Sequence, residues 1–129
     1  LEKPNRNVYC LDGDGAVLMH MGSLAIIGDQ AGTNYKHILI NNGSHDSVGG
    51  QATVAQDLDF EKIVSGSGYR SFKSVETRTD LKKAMQSFVT EPGPSFLEVK
   101  TKAGARADLG RPTIKPVDNK VDFMKNLSR

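Results

Sequence analysis

Short apolar runs alternate along the chain with helix-patterned segments, and this alternation constrains the fold more than any other feature. "NVYCLD" (7–12), "HILINN" (37–42) and "SFLEVKT" (95–101) are rich in β-branched or aromatic residues and bounded by Gly, Asn or Pro, so they read as buried strands. "YRSFKSVET" (69–77) is a weaker fourth strand, carried by Phe72 and Val75. Between them, "AVLMHMGSLAIIGDQA" (16–31) is apolar on most sides and reads as one buried helix. "DLDFEKIVSGSG" (57–68) opens at a capping Asp and ends at glycines. "TDLKKAMQSFVTE" (79–91) puts Leu81, Ala84, Met85, Phe88 and Val89 on one face, with Thr79 as its cap and "EPGP" as its stop. Parallel neighbours need a crossover long enough to hold a helix. The pattern therefore predicts an α/β fold, a parallel sheet with helices packed on both faces.

The 129 residues fit one domain. Strand character fades after Lys102, so 102–129 reads as a C-terminal extension. Within it, 118–127 suits a short helix with Val121, Phe123 and Met124 packing down. The net charge of +2 gives no case for nucleic acid or a membrane surface. The late basic residues are interspersed with Asp108, Asp118 and Asp122, as on a solvated surface. Cys10 is the single cysteine, which forbids an internal disulfide and suits a cytoplasmic protein. Its apolar neighbours make it read as a small core residue. No apolar run approaches the roughly 18–20 residues of a spanning helix. There is no signal-peptide pattern and no initiator methionine, so the chain is expected to be a piece of a longer protein.

Ligands of an open parallel sheet bind beyond the carboxyl ends of its strands. Two loops leave such ends with unusual composition: "GDG" (13–15) and "NNGSHDSVGGQ" (41–51). A dinucleotide fingerprint needs a third glycine where Leu18 stands, and no Walker Gly-Lys-Ser/Thr is present. No acidic ladder follows Asp14, so an EF-hand also fails. Mg2+ fits better, because it commonly bridges a carboxylate to phosphates in an all-oxygen shell. Asp14 offers one oxygen, the Asn42 amide a second, and a backbone carbonyl just after it a third. A helix beginning at Ala16 would aim its amides at the same phosphate, and Gly15 would let the backbone approach.

"GDG" followed at this spacing by "NN", each at a strand end with a helix between, resembles the motif of thiamine diphosphate enzymes. The resemblance implies that fold, with thiamine diphosphate and Mg2+ as cofactors. It implies Asp14, Asn42 and the Ser44 carbonyl as metal ligands, and backbone contacts from Gly13, Gly15 and Ala16 to the diphosphate. A one-residue shift in register would put Asn41 in the place of Asn42. "GDGAVLMHMGSLAIIG", "NYKHILINNGSHDSVGGQ" and "PGPSFLEVKTKAGARADLGRP" extend the resemblance over most of the chain, toward the phosphonopyruvate decarboxylase family and the neighbouring sulfopyruvate decarboxylases.

That family implies a small 2-oxoacid substrate, 3-phosphonopyruvate, giving phosphonoacetaldehyde and CO2. It also implies a pyrimidine-binding domain, in the same or a partner chain, that supplies an activating Glu, so this chain alone is expected to be inactive. A homo-oligomer is expected, because an isolated half-site exposes apolar surface. The alternatives are the small subunit of a sulfopyruvate decarboxylase and a non-catalytic α/β binding domain. His45 either moves a proton or meets the anionic substrate, or else hydrogen-bonds within its loop beside Asp46. Gly49 and Gly50 shape that loop, and Gln51 is a candidate polar contact. Met19 and Met21 read as core, His20 as packed or interfacial and His37 as structural. Arg106 and Arg111 either meet a phosphonate or belong to a surface strap.

Overall fold

The computed structural model describes residues 3–110 and 112–128. In chain order the elements are β1 (Val8–Gly13), α1 (Asp14–Met19), α2 (Gly22–Gln30), β2 (Tyr35–Asn41), a 3-10 turn (Ala55–Asp57), α3 (Phe60–Gly66), β3 (Ser71–Val75), α4 (Arg78–Phe88), β4 (Ser95–Lys100) and α5 (Pro116–Leu127). The strands form one parallel sheet in the order β1-β2-β4-β3. The path steps outward from β1 to β2 to β3, then back to β4. Right-handed crossovers demand that opposite steps lie on opposite faces. So α1, α2 and α3 share one face and α4 covers the other, the two-faced α/β fold that the alternation predicts.

Strand residues alternate between these faces. Leu39 and Phe96 join Val17, Leu24, Phe60 and Val64 in the larger core, whereas Leu97 joins Val75 and Phe88 under α4. Phe96, fully buried, is the hub, with its ring 5.5 Å from Tyr69, 6.1 Å from Phe72 and 6.2 Å from Phe60. Such pairs add about 0.5–1.5 kcal/mol each beyond burial.

Five local expectations need correction. The segment 16–31 is two helices, broken at His20 and Met21, where Gly22 weakens a continuous helix. The cap of α4 is Thr77, not Thr79: its Oγ1 accepts from Asp80 N at 3.1 Å and donates to Asp80 Oδ2 at 2.7 Å. Asp57 ends the 3-10 turn, and Asp59 caps α3 by accepting from Lys62 N at 3.1 Å. Cys10 is only half-buried, because β1 is an edge strand of this sheet. Val121, Phe123 and Met124 do not pack down. They are 46%, 60% and 50% exposed, since nothing among the described residues opposes the apolar side of α5.

Candidate functional site

Parallel pairing sets Gly13 beside Ile40, so the loops after β1 and β2 open at the same end of the sheet. Asp14 is the first residue of α1 and is 2% exposed. The Thr53 hydroxyl donates to its Oδ2. None of the ion pairs among the described residues involves Asp14. A buried carboxylate without a cationic neighbour is costly unless an ion comes to it.

The loop after β2 folds as a small hairpin. Gly43 turns the chain with φ +66°, in the region that favours glycine. Thr53 N then donates to Gly43 O at 2.9 Å and His45 N to Gln51 O at 2.8 Å. This return carries Thr53 back to the end of β2, within reach of Asp14. Asn42 Oδ1 accepts from Ser44 N at 3.1 Å, and its Nδ2 donates to Asp46 Oδ2 at 2.8 Å. An amide oxygen has two lone pairs, so Oδ1 keeps one for another partner. The Ser44 carbonyl accepts no hydrogen bond among the described residues.

The two Asn residues differ sharply. Asn41 is fully buried: its Nδ2 donates to Glu98 Oε1 at 2.8 Å, and its Oδ1 accepts from Gly43 N at 3.2 Å. Ser74 Oγ donates to the other Glu98 oxygen at 2.7 Å. Asn42, by contrast, lines an open hollow of about 440 Å3 together with Asp14, Ser44 and His45. Gly13, Gly15 and Ala16 line the same hollow, so the metal and diphosphate residues that the resemblance implies meet in one place.

The carboxyl groups of that lining belong to Asp14 and Asp46, and it contains no Lys or Arg. A bare diphosphate would be repelled there, whereas a divalent cation would neutralise the carboxylates and bridge to it. Asp14, the spare Asn42 lone pair and the free Ser44 carbonyl form an all-oxygen donor set suited to Mg2+. No side chain caps α1, so its first amides stay available. The Ser44 hydroxyl, the Gly104 N–H and the Asn42 amide hold the exposed Asp46 carboxyl below its usual range.

His45 does more than border the hollow. A Cβ on Gly15 would lie 2.4 Å from His45 Cε1, so the glycine makes room for the imidazole. Met19 also lines the hollow and is 70% exposed, so the core reading holds for Met21 but not for Met19. Gln51 lies outside the lining. Arg106 is exposed and pairs with Asp108 at 3.1 Å, as in a surface strap, and Arg111 lies outside the described residues. His20 is exposed. His37 is buried between Asp12 and Tyr69, consistent with a structural part. Sequence reasoning missed Thr53 and Glu98, which act across sequence separations of 39 and 57 without a local motif.

Comparison with known proteins agrees with this geometry. Residues 1–99 match the model of the thiamine pyrophosphate enzyme C-terminal TPP-binding domain. Phosphonopyruvate decarboxylase of Streptomyces viridochromogenes is 36% identical over 113 residues, spanning 88% of this chain and 28% of that protein. Sulfopyruvate decarboxylase subunit beta of Methanocaldococcus jannaschii is 29% identical over 123 residues, spanning 95% of this chain and 64% of that subunit. The chain thus spans only part of the length of these relatives. The thiamine diphosphate-dependent 4-hydroxybenzoylformate decarboxylase of Rhodococcus jostii shares the fold, with a TM-score of 0.60 at 21% identity over 78% of this chain and 21% of that one. No helix among the described residues is long and apolar enough to cross a membrane. With the family match covering most of its length and the loops after β1 and β2 converging on one acidic hollow, the chain belongs to the thiamine pyrophosphate enzymes as a C-terminal TPP-binding domain.

Proposed function

We propose that this chain is the diphosphate- and Mg2+-binding part of a thiamine diphosphate-dependent decarboxylase that converts 3-phosphonopyruvate to phosphonoacetaldehyde and CO2. The observation that carries the reading is the buried, cation-free Asp14 on a hollow shared with Asn42 and Ser44. Asp14, Asn42 Oδ1 and the Ser44 carbonyl would hold the metal. Backbone amides of Gly13, Gly15 and Ala16 would face the diphosphate. When bound, the cofactor supplies the electron sink for decarboxylation. Met19 gives the hollow an apolar border that limits water, and His45 offers an imidazole for a proton or an anionic substrate group. A pyrimidine-binding domain, in the same or a partner chain, completes the centre, and an oligomer would cover the apolar surface left open here.

The reading as a subunit of a two-chain sulfopyruvate decarboxylase has its own support. The Methanocaldococcus subunit aligns with 95% of this chain, and 64% of that subunit is covered. Titration calorimetry with the pyrimidine-binding domain supplied tests the shared core of both readings. Thiamine diphosphate should bind only with Mg2+, and Asp14→Ala should abolish the binding. Unchanged binding by that variant refutes the metal assignment. CO2 release from phosphonopyruvate against sulfopyruvate then separates the two.

A further inference from the structure

We propose that Cys10, Asp12 and His37 form a second metal site, one that takes Zn2+, on the α2-facing side of the β1–β2 edge. Strand register builds it. Cys10 stands opposite His37 in the parallel pair, and Asp12 follows two residues later on the same face. Their donor atoms all lie within 4.8 Å of one another, with Cys10 Sγ 3.5 Å and His37 Nε2 2.8 Å from Asp12 Oδ2. Around a tetrahedral Zn2+ with bonds of about 2.0–2.3 Å, neighbouring ligand atoms sit roughly 3.3–3.8 Å apart. The cluster therefore needs side-chain adjustments of about an ångström and no movement of the strands.

The donor chemistry separates this place from the hollow around Asp14. A thiolate and an imidazole suit Zn2+, whereas Mg2+ prefers oxygen alone. A coordinated thiol gives up its proton. One thiolate and one carboxylate then cancel the charge of the ion, as a half-buried site requires. The outer contacts are already in place. Tyr69 Oη lies 2.8 Å from His37 Nδ1, and with metal on Nε2 the Nδ1–H donates to it and fixes the ring. The Phe96 ring, 4.7 Å from the imidazole, backs the ligand from the core. A separate cavity of about 150 Å3, lined in part by Asp12, His37, His20 and Ser23, leaves room for a water in the fourth position.

Co2+ reports such a site through its thiolate charge-transfer absorption. The whole chain is titrated with Co2+ in excess Mg2+, which occupies oxygen-only sites. One equivalent should produce the sulfur-to-cobalt band, and Zn2+ should bleach it. Cys10→Ser should abolish the band while circular dichroism stays that of the parent. Tyr69→Phe should keep the band and weaken Co2+ binding by about 10–100-fold. Absence of the band in the parent, or its survival in Cys10→Ser, overturns the site. Should Cys10→Ser not fold, Tyr69→Phe decides, and unchanged Co2+ affinity in that variant overturns it equally.

Discussion

The adjacent residues Asn41 and Asn42 should fail in opposite ways when each is changed to Ala. Asn41 has no exposed surface, and its truncation removes three bonds, the longest of them from Nδ2 to Ala55 O at 3.4 Å. Loss of the donor to the buried Glu98 carboxylate costs about 1.5–3 kcal/mol, as for bonds to charged groups, and loss of the acceptor for Gly43 N costs about 0.5–1.5 kcal/mol. These two losses sum to about 2–4.5 kcal/mol. At an m-value of about 2 kcal/mol/M, the urea midpoint should fall by about 1–2 M. Asn42 bonds to Asp46, which is exposed, and to a loop amide, so its truncation should cost less than about 1 kcal/mol. Cofactor binding should show the reverse order. Asn42→Ala should lose Mg2+-dependent thiamine diphosphate binding, whereas folded Asn41→Ala should keep it at reduced affinity. Paired urea melts and titration calorimetry read both quantities. Equal stability losses, or binding abolished in Asn41→Ala and intact in Asn42→Ala, would refute the division of labour.

Two other perturbations bear on the fold and the site. Gly15→Ala should displace the His45 ring that its Cβ meets and cost up to about 1 kcal/mol, because the half-exposed imidazole can turn aside into the open hollow. With His45→Ala also present, the same change should become neutral or stabilising by up to about 1 kcal/mol, since Ala is the better helix former. Thermal melts of the two single variants and the double variant check the change of sign. For pH, burial raises the Glu91 carboxyl, but Lys73 and the Ser71 hydroxyl outweigh it and hold the pKa below its ordinary 4.5. A carboxyl depressed by folding adds stability above the unfolded value, and that stability is lost as pH falls through 4.5 and below. Glu91→Gln should therefore lower the urea midpoint at pH 7, with the gap closing toward pH 3; a gap independent of pH contradicts the pairing.

Much of the fold was legible because its signals are local. The strands announce themselves by β-branched and aromatic runs, and the crossovers by helical spacing. Boundaries were less legible where two residues compete for one cap. Thr77 displaces Thr79 because only the former stands three residues before Asp80, whose amide and carboxylate both answer it. The residues that line the hollow could be read because the motif keeps them near strand ends. Their supports could not: Glu98 and Thr53 reach the site only through strand order and the hairpin return, which leave no spacing rule in the sequence. The unpacked α5 escaped for a related reason. Periodicity shows that a helix has an apolar side but not whether another element lies against it.

The position of β4 has a consequence for the timing of assembly. β4 is synthesised after the other three strands of this sheet, yet it lies inside the sheet between β2 and β3. Until Ser95–Lys100 emerges and inserts, β2 and β3 have nothing to join them, and every pairing closes a long loop. Glu98 arrives with that strand, so Asn41 and the loop that starts beside it stay unanchored until then. The residues lining the hollow are complete by Val48, before the midpoint of these residues, but Asn41 beside them gains its Glu98 partner only when β4 arrives. A nascent chain therefore carries the binding motif well before β4 completes the sheet that supports it.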